Sequence, residues 1–127
     1  MDYIVLLGRI CYSLIFILSS FGHFSAGTVA YAASEGVPMP GVLVPMTGVL
    51  ILLGGASVLL GYRAKLGAWL LVIFLVPTTL MMHKFWGMGD AGAAMVQQIM
   101  FLKNVSMLGA ALLITYFGSG PMSVRRD

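Results

Sequence analysis

An all-α integral membrane four-helix bundle is the fold this sequence predicts, and three observations carry the prediction. First, 60% of its 127 residues are hydrophobic and only 9% are charged, whereas a soluble domain of this size holds roughly 25% charged residues. So much apolar surface cannot be hidden in one small core, and lipid must be part of the solvent. Second, the apolar residues gather into segments at about 3–21, 41–60, 66–82 and 97–117, each near the length that crosses a bilayer. Third, glycine, proline and charged residues collect between these segments, where turns are expected. Residues 1–127 therefore read as one membrane domain. The net charge of +3 is small and scattered, which excludes a nucleic-acid-binding surface.

The first segment carries Arg9, Ser13, Phe16, Ser20 and His23 at spacings of 4, 3, 4 and 3. That spacing lays them along one helical face. Polar side chains are disfavoured against lipid, so this face is expected to turn into the bundle, with Arg9, Ser13 and Ser20 in structural roles. The serine hydroxyls have the alternative of bonding their own preceding carbonyls. Neither a basic leader nor a small-residue cleavage pattern is evident, so a retained helix is expected rather than a signal peptide. Cys11, the single cysteine, has no partner for an intrachain disulfide. It leaves the polar stripe and is expected to be a buried, inert thiol.

Between the first two segments, Gly27–Ser34 suits a short interfacial helix. Glu35-Gly36-Val37-Pro38-Met39-Pro40-Gly41 reads as a turn. In the second segment Pro45 falls near the first turn, where a missing N–H costs little. Gly41, Gly48 and Gly55 recur every seven residues, and Gly54 adjoins the last. Small residues of this kind let helix backbones approach closely in lipid. Gly61-Tyr62-Arg63-Ala64-Lys65 is a basic turn. Pro77 interrupts the third segment, with Thr78 and Thr79 placed to satisfy freed carbonyls. A proline bend there serves packing or opens room for a ligand. His83-Lys84-Phe85-Trp86 closes the segment with an interfacial aromatic pair. Gly87–Ala94 is expected to be a loop, and the fourth segment to begin near Gln97.

Four spans bring both termini to one side together with Arg63, Lys65, Arg125 and Arg126. The positive-inside rule makes that side cytoplasmic, as expected of a multi-pass membrane protein. Lys103, His23, His83 and Lys84 then share the outer side. Lys103 would sit roughly two turns inside the fourth helix. An ammonium there costs on the order of 3 kcal/mol unless it snorkels, pairs or lines a cavity. Lys103, Asn104, His83, His23 and Gln97 are the candidate polar residues of an outer-side pocket, with aromatic walls from Trp86, Phe101, Phe24 and Phe85. Such a pocket suits a small anion or a quinone-like carbonyl compound, with Lys103 or a histidine donating a hydrogen bond. The alternative is an interfacial girdle that only anchors the helices. Two histidines without a nearby carboxylate or thiol make a poor metal site, so no metal is expected.

Several short stretches, taken together and in order, resemble the DoxX family of small bacterial membrane proteins. They are Leu7-Gly8-Arg9-Ile10, Phe21-Gly22-His23-Phe24, Gly36-Val37-Pro38, Leu53-Gly54-Gly55, Leu60-Gly61-Tyr62-Arg63, His83-Lys84-Phe85-Trp86, Phe101-Leu102-Lys103-Asn104 and Gly118-Ser119-Gly120-Pro121. The resemblance implies a four-helix membrane bundle and a link to sulfur and redox chemistry, through a relative that is a subunit of a thiosulfate–quinone oxidoreductase. The family's polar positions match Arg9, His83, Lys103 and Asn104. Many members carry lysine in place of His23, and glutamate in place of Ile51.

Two functions follow as expectations. One is a quinone-linked oxidoreductase or a membrane subunit of one, which needs a bound redox molecule because the side chains carry no electrons. The other is a non-catalytic membrane factor: an assembly or cargo partner, or a small-solute transporter. A protein partner or a homo-oligomer is compatible with either, the latter through glycine-lined helix faces.

Overall fold

The computed structural model describes residues 1–125 and 127 and contains five helices among them: α1 Asp2–Gly22, α2 Ala26–Ser34, α3 Pro40–Leu60, α4 Ala64–Met82 and α5 Ala91–Phe117. All but α2 are long and apolar enough to cross a membrane. The outward faces carry Leu7, Leu18, Leu53, Trp69, Ile73, Leu80, Leu102 and Leu113, all exposed. Only hydrocarbon makes such a surface stable. Inside, Phe16, Ile51, Val58, Ala68, Leu71, Phe74, Leu75 and Ala111 form the core.

Local chemistry sets the ends of these helices. The Ser25 hydroxyl accepts from the Thr28 amide and starts α2. Pro40 opens α3, where its missing N–H costs nothing. At the other end Gly61 is left-handed (φ 69°), and the amides of Gly61 and Tyr62 both return to the Ser57 carbonyl. The Asp90 carboxylate caps α5 through the Gly92 amide at 3.0 Å. That cap moves the start of α5 six residues ahead of the expected Gln97, so part of the expected loop is helical. Pro45 likewise falls in the second turn of α3 rather than the first. Cys11 is exposed on the outer face of α1, not buried as its spacing suggested.

The helices pack in the order α1–α3–α4–α5, with α2 lying against α3. Glycine makes the α3–α4 approach possible. A Cβ on Gly54 would meet the Gly67 carbonyl oxygen at 2.9 Å, and one on Gly67 would run into Ser57. Gly48 and Gly55 face α1 in the same manner, against His23 and Phe16, whereas Gly41 looks into open space and has no packing role. Gly67→Ala is expected to cost about 1–3 kcal/mol, because two backbones must separate. Thermal unfolding in detergent would check this, with Gly41→Ala as the silent control.

Both chain ends lie at the same end of the bundle. After α5 the tail folds back over the α3–α4 turn, where the Val124 amide donates to the Leu60 carbonyl at 2.9 Å and Arg125 to Gly61 at 3.0 Å. Arg9, buried in α1, reaches into this tail. Its guanidinium donates to the Ser123 hydroxyl at 2.8 Å and to the carbonyls of Met122 and Pro121. These contacts tie α1 to the tail. Ser20 bonds the Ile17 carbonyl of its own helix at 2.6 Å, and Ser13 is fully buried without a hydrogen-bond partner among the described residues.

Asp127 ties the tail down a second time. Its carboxylate accepts from the Lys65 amide at 2.9 Å and from the Ser119 amide at 3.2 Å. Burial pushes this carboxyl up, but the amide donors and the Lys65 charge outweigh it and hold it below its ordinary value. A depressed carboxylate stabilises the fold above its unfolded value of 3.8 and loses that contribution as pH falls through the folded value. Exchange of the Lys65 and Ser119 amides, corrected for intrinsic rates, should stay constant from about pH 7 to 5 and speed up below about pH 4. Hydrogen exchange read by mass spectrometry would show it.

Candidate functional site

Tyr12 of α1 lies beside α5. The Tyr12 hydroxyl donates to the Met107 carbonyl at 2.7 Å and joins α1 to α5 there. Toward the α2 end lies a cavity of about 480 Å³, within the size range of small-molecule sites. Its walls are apolar: Phe16 from α1, Val44 and Ile51 from α3, Phe74, Pro77 and Met81 from α4, and Met107 from α5. Pro77 borders the space directly, so the interruption it makes in α4 lies at the cavity wall. Ile51, fully buried, is part of that apolar wall.

The short helix α2 covers the end of this cavity, to which it contributes Thr28, Tyr31 and Ala32. Two polar ties hold it down. Lys84 lies 3.9 Å from the Glu35 carboxylate and also reaches the Glu35 carbonyl. The Gln97 amide donates to the Tyr31 hydroxyl at 3.3 Å.

Four of the sequence-derived candidates line the cavity: His23, His83, Lys103 and Asn104. Asn104 is the most deeply placed. It is only 4% exposed, and its amide makes no hydrogen bond to protein among the described residues. Among the described residues, the fully buried side-chain atoms left without a partner are Arg9 Nε and Ser13 Oγ; the Asn104 amide is not one of them, and it opens onto the cavity, where a ligand or water can meet it. Lys103 is next to it but at the rim. Its side chain is exposed, and its amine lies 3.5 Å from the Met100 sulfur. Since α5 starts at Ala91, Lys103 is about three turns into the helix rather than two. His23 sets its Nδ1 2.9 Å from the Thr47 hydroxyl, and His83 sets its Nδ1 3.0 Å from the Gln97 amide oxygen.

The remaining candidates fall outside. Gln97 touches the cavity only through His83. Trp86 and Phe101 form an edge-to-face cluster with Phe85, with ring centroids 5.4 to 6.0 Å apart, away from the cavity lining. Phe24 packs beside Gly48. The expected aromatic walls are supplied instead by Phe16, Phe74 and Tyr31. Spacing along α5 could not show this, because the aromatic residues of the outer loop have partners closer than the cavity. No cluster of three or more metal-binding side chains exists among the described residues.

A four-span helical membrane protein with a largely apolar cavity under a short capping helix is the class these features define. The DoxX family model matches residues 4–84. The chain is also 35% identical to the inner membrane protein YphA of Escherichia coli K12, over 97% of this chain and 89% of that protein. The chain therefore belongs to the DoxX family, and it is a multi-pass protein of the inner membrane. No solved structure matches it.

Proposed function

We propose that the cavity binds a quinone and that the protein serves as the membrane component of a quinone-linked redox system. The observation that carries this reading is the Asn104 amide, which opens onto a largely apolar cavity without a protein partner among the described residues. A ligand filling that chamber has a hydrophobic body and at least one group that exchanges hydrogen bonds with an amide. A quinone head meets both demands, and the Lys103 amine at the rim is a second donor to a carbonyl oxygen. Electron transfer belongs to the quinone and to a redox partner, while this chain binds, orients and excludes water. The resemblance to a thiosulfate–quinone oxidoreductase subunit makes a sulfur compound the first electron donor to try. The basic end formed by Arg63, Lys65 and Arg125 supports a cytoplasmic placement of both termini, with the cavity in the outer half of the bilayer.

Calorimetric titration of the purified protein with a one-isoprene benzoquinone tests this reading. Saturable one-to-one binding is expected, weakened several-fold by Lys103→Met. Because Lys103 is exposed and its stem is matched by methionine, that variant should keep its stability within about 0.5 kcal/mol. A protein that takes up neither the quinone nor its reduced form would instead be a non-catalytic membrane factor.

A further inference from the structure

We propose that the cavity discriminates between the two redox forms of its ligand, holding the dihydroxy (quinol) form more tightly than the dicarbonyl (quinone) form. This rests on the quinone reading above and adds to it a preference set by two histidine tautomers.

The tautomers follow from what each Nδ1 faces. The Thr47 hydroxyl spends its one proton on the Val44 carbonyl at 2.6 Å. Its oxygen can therefore only accept from His23, 2.9 Å away, so His23 Nδ1 carries the proton. Gln97 turns its NH₂ to the Tyr31 hydroxyl and its carbonyl oxygen to His83, 3.0 Å away. An amide oxygen only accepts, so His83 Nδ1 also carries the proton. In the neutral ring the other nitrogen, Nε2, is then an unprotonated acceptor. Both rings line the cavity, and neither Nε2 bonds to protein among the described residues. Burial pushes the His23 imidazole below its usual value, partly offset by the Val44 carbonyl, which favours the neutral ring.

The cavity thus offers two ring acceptors, one amide that both donates and accepts, and one amine at the rim. A quinol hydroxyl donates to an acceptor and still accepts from Asn104 or Lys103. A quinone carbonyl can only accept, so it leaves both Nε2 atoms facing lone pairs. Two net hydrogen bonds of ordinary strength amount to a preference of about tenfold or more.

The experiment compares the one-isoprene benzoquinone with its hydroquinone, kept reduced without oxygen, on the full-length protein at pH 8. Burial holds the His23 imidazole below its usual value, so it is neutral at that pH. The expected result is about tenfold tighter binding of the hydroquinone. Gln97→Leu, which frees the His83 ring to take either tautomer, should reduce that ratio to about threefold, with quinone affinity rising as Nε2–H becomes available to donate to a carbonyl oxygen. Nitrogen-15 NMR of the wild-type imidazoles should show the Nδ1–H tautomer for both rings, a reading that stands even if the variant does not fold. Equal affinities, a preference for the quinone, or Nε2–H tautomers would overturn this inference and leave the quinone site intact. Binding of neither form would overturn the quinone site itself.

Discussion

Replacing Arg9 with methionine should destabilise the protein by about 3 kcal/mol, the largest loss expected from any single side chain. The guanidinium is buried at the end of the bundle where both chain ends meet, and three acceptors of the tail converge on it. Methionine keeps the volume of the stem but leaves the Pro121 and Met122 carbonyls and the Ser123 hydroxyl without that donor. Lysine should recover only part of the loss, because one ammonium cannot reproduce the planar fork. The effect should be directional as well as large. Hydrogen exchange should accelerate at Val124 and Arg125, whose amides hold the tail to the α3–α4 turn, before it accelerates in the α3 and α4 core. Uniform acceleration throughout the chain would mean that Arg9 supports the bundle as a whole and not the tail.

Asn104→Leu should act in the opposite direction on stability and abolish binding. The native amide opens onto the cavity without a protein partner among the described residues. Leucine has similar volume and no polar group, so the variant should unfold at a higher temperature, by roughly 1 kcal/mol of added stability. It should also lose at least tenfold in quinone affinity. A stability gained together with a function lost is the mark of a polar group kept for a ligand. If Asn104→Leu were less stable than the native protein, the amide would have a structural partner and the ligand argument would fail. The two predictions are independent, since Arg9 and Asn104 lie at different levels of the bundle.

Much of the fold was legible in the sequence because lipid imposes a simple rule. Every spanning segment must be apolar and helical, and the four hydrophobic runs state this directly. The placing of His23, His83, Lys103 and Asn104 around one space also follows from topology. Antiparallel spans bring the end of α1, the end of α4 and the early turns of α5 to a common depth. Four features were not legible. The early start of α5 depends on Asp90, a single capping residue within a stretch of glycine and alanine that reads equally well as loop. The partners of Arg9 are mostly backbone carbonyls, 112 and 113 positions away in the chain, and carbonyls leave no signature in the side-chain sequence. Gly67 opposes Gly54 across two helices, and no spacing within one helix can reveal a partner on the next. The depth ranking of Asn104 and Lys103 also needed coordinates. These neighbours differ by about 100° around α5, enough to put one inside and the other at the rim.

Photolabelling most directly tests the central claim, that the space between the spans under α2 holds a quinone against Asn104. An azidoquinone with one isoprene unit would be activated on the protein in lipid nanodiscs, and the labelled peptides would be sequenced. The account predicts labels on cavity-wall residues such as Met107, Met81 and Ile51, competed away by unlabelled quinone and absent in Asn104→Leu. Labels confined to the lipid-facing Leu18, Leu80 and Leu113, unaffected by competitor or by that substitution, would contradict it.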